Sequence, residues 1–457
     1  MKQSITISLL LISSVFLPAS DRLSEAVGEM KYKAQLRYYT LHRSYDELVK
    51  NSAGSFDLHH KYQKNSHAVG GYFGFESATL HHLSIGSTLY TSQPIFHNPT
   101  DEGGLQLLKD NQDGYSVLGE AFAKWEYENT IVKVGRQLLT NYGFLSDHDI
   151  RMTPYTYEAA IFENRDFENI TLRMAAVSGV KSLASTDYID FVNASKDLLR
   201  EVTVDRNPIR GDYNPAYFDS DRNYIGPQEN LYLASIVYKD RQINFGLWNH
   251  YVVDFINIFY AIGSYTFQSG GFSNSVGVEW VKQDDVGEHV AGTINTYAYD
   301  MMVKSSYDNF TLQYVFSRVK YDESSLDGGT IIDEWGGAML YCGMMYNGAD
   351  QGGTTGHNLS LEYDFASYDL TLLLSAGSFD LPNKITDIFA DQDNHEYDII
   401  IKYRPKWSKK LEFKVEAAYI DFDTNYDFKA YEDLHGFDML HAYDDIVDLR
   451  FIVNYTF

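Results

Sequence analysis

The residues best suited to act on a small solute are Asp147, Asp149 and Arg151, set in the polar stretch 138–153. Two carboxylates and a guanidinium this close together can set up a transverse field. Where such charges ring a narrow passage, they select solutes by sign and geometry. On a plain surface loop they would only keep the chain solvated. Other chemistry finds less support. Arg210-Gly211-Asp212 matches an adhesion tripeptide by letters alone. Asp391, Asp393 and Asn394 have calcium-like oxygen spacing without the downstream ligands of a calcium loop. The acidic loops could hold a surface calcium or magnesium ion, and no other metal or cofactor is expected. His81 and His82, read as strand residues, would face opposite sides. Cys342 is the only cysteine, which excludes a disulfide framework or a cysteine-ligated cluster within one chain. No Gly-x-Ser-x-Gly elbow, His-Glu-x-x-His pair or phosphate loop appears, so no catalytic set is nominated.

Two extended runs hold the charged stretch. Residues 131–136 alternate in side-chain character, and a second run begins at Tyr155, so the whole reads as a long-looped β-hairpin. The remaining chain repeats the pattern. In the last run Val447, Leu449, Phe451, Val453, Tyr455 and Phe457 share one face. Asp448, Arg450, Ile452, Asn454 and Thr456 share the other. About eighteen such runs can be counted, an even number as in bacterial barrels. Their connections alternate in length. Short ones such as 128–129, 308–309 and 366–367 are separated by long ones at 43–68, 92–116, 179–229, 321–356, 379–395 and 422–444. One connection on the long-loop side, 252–254, is predicted to be short. All nine prolines fall outside the predicted strands, as the ladder requires.

Alternation also places Arg37, Glu120, Lys124, Arg173, Glu362, Lys402, Glu412, Lys414, Glu416 and Arg450 opposite the apolar face. A soluble barrel would put the apolar face inside and these charges outside. A membrane barrel would put them around a wet lumen, because a charge facing lipid at mid-depth costs on the order of 2–4 kcal/mol. The N-terminus and the sorting of loop lengths favour the membrane. Lys2, the apolar run 5–17 and the Pro18-Ala19 ending read as a secretory signal peptide over residues 1–19, leaving 20–457 as one barrel domain. No apolar run is long enough for a spanning helix. A net charge of -26 disfavours a nucleic-acid partner.

Val134-Gly135-Arg136-Gln137-Leu138-Leu139, followed by Asp149-x-Arg151-Met152-x-Pro154-x-x-Tyr157-Glu158, resembles the OprD-like family of bacterial outer-membrane porins; residues 36–43 do so more weakly. The resemblance implies an all-β fold: a single antiparallel transmembrane β-barrel of about 18 strands, with short periplasmic turns, long extracellular loops and at least one loop folded into the lumen. It implies that the 138–153 loop narrows the pore. A second narrowing loop would lie at 321–356, where Trp335-Gly336-Gly337 and the apolar Met339, Leu340, Met344 and Met345 are unusual for a solvated loop. The function implied is passive diffusion of small hydrophilic solutes or ions, amino-acid-like or carboxylate-bearing ones among them, by a monomer or homotrimer in the lipid of a Gram-negative outer membrane. Phe457, ending an aromatic-x-Phe strand, resembles the signal read by barrel-assembly machinery. A barrel-embedded enzyme and a surface adhesin are the alternatives, and single-channel conductance separates them from a porin. Ion preference stays open, since both signs line the predicted lumen. Arg151 either faces the permeating ion or is tied to Asp147 or Asp149.

Overall fold

In the computed structural model the described residues are 29–50, 56–96, 98, 103–195, 217, 224–337, 339, 341–381, 393–423 and 441–457. The expected signal peptide, residues 1–19, and Arg210-Gly211-Asp212, Asp391 and Leu340 lie outside them. Eighteen strands follow in order: β1 (Lys31–Lys50), β2 (Phe56–Glu76), β3 (Leu83–Pro94), β4 (Tyr115–Tyr127), β5 (Thr130–Gln137), β6 (Thr156–Asn164), β7 (Ile170–Lys181), β8 (Leu231–Lys239), β9 (Ile243–Val252), β10 (Ile256–Ser269), β11 (Phe272–Asp285), β12 (Asn295–Tyr307), β13 (Phe310–Val319), β14 (Thr355–Phe365), β15 (Leu370–Asp380), β16 (Asn394–Tyr403), β17 (Leu411–Phe422) and β18 (His441–Thr456). One short helix, α1 (Phe191–Ala194), is capped by Asp190. Each strand pairs antiparallel with its sequence neighbours, and β1 pairs with β18, so the sheet closes and no edge remains.

The pleat sets what each wall meets. Phe73, Val134, Met174, Met301, Val303, Leu312, Ile399, Val415 and Leu449 are exposed on the outer face. Thr88, Glu120, Glu279, Asp300, Asp398, Glu416, Asp448 and Arg450 are buried on the inner one. This is the inside-out arrangement of a barrel whose solvent is lipid. Outward aromatic pairs sit near the short-turn rim, such as Phe272–Tyr307 at 4.7 Å and Phe310–Tyr363 at 4.4 Å between centroids. Rings of this kind suit the membrane interface.

Three expectations need correcting. The predicted long loop 43–68 is mostly strand. β1 and β2 run 20 and 21 residues, about twice the 9–11 needed to cross a bilayer, so the hairpin extends well past the membrane on the long-loop side. Alternating apolar residues fade there because neither face meets lipid. Pro94 is the last residue of β3 and not outside it. It tolerates the place because the ladder ends there. His81 and His82 sit in a turn with positive φ, not on a strand, and His82 packs edge-on against Tyr127. The short 252–254 connection is real: β9 and β10 are joined by three residues, 253–255.

Candidate pore constriction

The loop joining β5 and β6 carries apolar side chains that water would not hold. Leu139, Tyr142, Phe144, Leu145 and Met152 are buried, and they become so by turning into the barrel. Phe144 meets the inward Tyr260 edge-on at 5.3 Å. His250 Nε2 on β9 lies within hydrogen-bond distance of Tyr142 O (2.8 Å) and Phe144 N (3.2 Å). Trp248 Nε1 donates to Asn141 O at 3.3 Å. Gly143 makes the approach possible: its φ is +67°, and a Cβ there would stand 2.7 Å from the His250 ring. Arg173 supports the same end of the loop, with its guanidinium 5.3 Å from the Tyr142 ring and paired to Glu163 at 2.6 Å.

The far end of the loop reaches β1. Arg37 grips Asp149 with two hydrogen bonds, 2.7 and 2.9 Å, and donates to Asn454 at 2.8 Å and to the Arg151 carbonyl. Such a planar fork fixes both position and orientation. Asp147 closes the loop locally: its carbonyl accepts from Tyr155 N at 2.8 Å, and its carboxylate lies near Thr140 and Ser146 hydroxyls. Of the two alternatives for Arg151, the ion pair with Asp147 or Asp149 is not formed. Asp149 is taken by Arg37 instead, whose two terminal nitrogens both donate to its carboxylate.

Arg151 is left in another setting. It is 6% exposed and donates to Ile150 O at 3.2 Å, while its Nε has no hydrogen-bond partner among the described residues. Burial draws it below the ordinary arginine value; nearby Tyr39 acts the other way, and Arg450 and Arg43 add to the lowering. Arg43 pairs with Asp448 at 2.5 Å and lies 5.1 Å from the Tyr346 ring. Arg450 shares Asp448 at 2.7 Å and reaches Glu416 at 3.4 Å. Lys414 also binds Glu416. Three cations, Arg43, Arg450 and Lys414, thus share two carboxylates, Asp448 and Glu416, on this wall. The hydroxyl of Tyr39, a residue 1% exposed, is a second buried polar group without a hydrogen-bond partner among the described residues.

The second loop, between β13 and β14, also lies in the lumen. A row of inward carboxylates accepts from its backbone: Glu279 from Tyr341 N, Asp300 from Cys342 N, Asp398 from Met345 N, and Glu396 from Tyr346 N and Asn347 N, all at 2.8–3.1 Å. Met339 packs on the main apolar cluster, and Met344 lies beside Cys342 and Phe379. The two loops touch. Leu145 bridges Gly336, Tyr157 donates to Trp335 O, and a Cβ on Gly337 would stand 2.4 Å from the Phe144 backbone. Between them and the wall lies a cavity of about 990 Å³, lined by Arg43, Arg151, Arg173 and Arg450 and, elsewhere, by Asp300, Asp333 and Asp350.

The structure therefore brings Arg37, Asp149, Arg151 and Arg450 together. Lys124 and Lys402 face inward but lie away from the cavity. Lys124 is paired to Glu76 at 2.5 Å, and Lys402 stands across the ladder from Lys414. Arg136, at the loop's start, points outward, pairs with Glu158 at 2.9 Å and stacks on Tyr188. Arg43 and Asp448 were missed. The signal was there, since Arg37, Tyr39, Leu41, Arg43 and Tyr45 continue one alternation.

With the geometry established, the comparisons fit it. The model of the family described as outer membrane porin, OprD family, matches residues 98–457. No curated relative matches the sequence. Among solved structures, Pseudomonas aeruginosa OpdK with vanillate superposes with a TM-score of 0.67 at 16% identity, over 94% of this chain and 99% of that one. A BenF-like porin from Pseudomonas fluorescens Pf-5 gives 0.69 at 15%, over 94% and 99%. Pseudomonas aeruginosa OccK9 (OpdG) gives 0.68 at 18%, over 93% and 98%. At these identities the likeness establishes the barrel and not the solute. With the family match across most of its length, the chain belongs to the OprD family of outer-membrane porins.

Proposed function

We propose that this porin favours small solutes carrying an anionic group and that Arg151, Arg43 and Arg450 read that group at the constriction. One observation carries the reading: a buried guanidinium that lines the cavity, with an unbonded Nε and no carboxylate of its own among the described residues. A carboxylate entering the cavity would supply the missing partner. Arg37, by contrast, is spent on holding Asp149. The apolar side of the cavity, with Trp248, Tyr260, Ile262 and Met339, suits a solute with a compact apolar body. The OpdK structure carrying vanillate, an aromatic carboxylate, is in keeping with this reading.

The test is the reversal potential of single channels in planar bilayers under a salt gradient. At an effective dielectric of about 20, a unit charge about 5 Å from the permeating ion is worth roughly 3 kcal/mol, and fully hydrated water reduces this to about 1. Arg151→Ala should therefore lower the anion-to-cation permeability ratio by about fivefold or more. An unchanged ratio in a well-assembled variant would remove Arg151 from the selectivity mechanism.

A further inference from the structure

We propose that the extracellular end of the β1–β2 hairpin, together with the start of β18, binds one divalent first-row transition-metal cation through Asp46, His59 and Asp444. The three residues come from three strands. His59 Nδ1 lies 3.1 Å from Asp46 Oδ1 and 3.5 Å from Asp444 Oδ2, and all three ligand atoms fall within 4.8 Å of one another. Tetrahedral coordination with bonds of about 2.0–2.1 Å needs ligand atoms about 3.4 Å apart. Both separations from His59 are already near that spacing, and the third lies within 4.8 Å.

Local structure explains the convergence. Asp46 pairs with Asp445 across the β1–β18 ladder and the next residue, Glu47, pairs with Tyr443, so Asp444 is the bulge residue. A bulge re-aims a side chain that regular alternation would send to the other face. Lys61 takes Asp46 Oδ2 and leaves Oδ1 toward His59. Asp46 is 4% exposed, and its carboxylate is held in orientation by Lys61 and His59. The His59 side chain is 54% exposed and that of Asp444 31%, which leaves access for the ion and for a water as fourth ligand. The surroundings demand positive charge. Asp46, Asp445 and Asp421 stand in register across β1, β18 and β17, with Lys61 as the cation opposite Asp46. Carboxylates side by side on a ladder repel.

One imidazole and two carboxylates suit zinc and its first-row neighbours. Calcium and magnesium require six or more oxygens and are not expected to compete. Bound metal would clasp β1, β2 and β18, the strands at the seam where the barrel closes.

The full chain, purified in detergent and stripped with a chelator, is titrated with zinc chloride by calorimetry near neutral pH. One saturable equivalent is expected. Affinity should fall at least about tenfold in His59→Ala and in Asp444→Asn. It should be kept in His60→Ala, whose side chain lies on the other face beside Glu47. Heat-modifiable mobility on gels verifies that each variant is a folded barrel, and exposed His59 is the substitution least able to disturb it. The proposal fails if zinc does not saturate, if binding survives both His59→Ala and Asp444→Asn, or if calcium displaces zinc at equal concentration.

Discussion

Arg37 and Arg151 lie against the same short piece of chain and do different work. Arg37 is fully bonded, so its loss should loosen the loop more than it alters the field. Arg37→Ala leaves Asp149 without its fork at a cost of roughly 1–2 kcal/mol, since Asp149 is partly solvated. Current noise and gating events should increase while ion preference changes little, in single-channel recordings of that variant. Larger shifts in preference than in noise would reverse the assignment of the two arginines. Asp333 lines the same cavity as Arg151. Its carboxyl is pushed well above the ordinary range, by burial first and then by Asp350 and Glu334. A raised carboxyl takes up its proton at higher pH, so acidification strips negative charge from the cavity early. Acidification should raise anion preference at pH values above those where ordinary carboxylates titrate, and Asp333→Asn should flatten that dependence. A wild-type reversal potential constant over this range would argue against Asp333 as a lumen charge.

At the scale of the element, the inward loop depends on backbone that can pass close to the wall. Gly143→Ala must adopt positive φ, at about 1–2 kcal/mol, and also displace His250. The loop should retreat from β9, with higher and noisier conductance. Recordings indistinguishable from wild type would mean that the loop is held elsewhere. Phe457 belongs to a different kind of element, a strand end. It is 67% exposed, donates its N–H to Ala34 O at 3.0 Å and meets Tyr455 at 4.9 Å. With so few contacts, Phe457→Ala should leave the assembled barrel as heat-resistant as wild type. If assembly machinery reads the residue, its yield in the outer membrane should fall; normal yield would count against that role. Strands were legible in the chain because a period of two survives any number of substitutions. The contacts that fold the loops were not. Arg37 and Asp149 are 112 residues apart, and no spacing announces such a pair. Arg43 was missed for a simpler reason: it continues the inward alternation, but the outward positions beside it, His42 and Ser44, turn polar, and the predicted loop began at 43.

At the scale of the molecule, the closed sheet fixes the outer belt and the inner wall, and two loops occupy what would otherwise be an open tube. The inner-wall carboxylates tie the second loop by its backbone, while the first is tied by Arg37, His250 and Trp248. Selectivity is therefore expected to rest on the loops, with the barrel as frame. Single-channel conductance tests this most directly. The channel is recorded with residues 139–152 replaced by a short Gly-Ser linker, beside wild type. A higher conductance is expected together with a loss of anion preference, since the obstruction and Arg151 leave at once. Unchanged conductance in that variant would show that the loop does not limit the pore, and the central claim would be wrong.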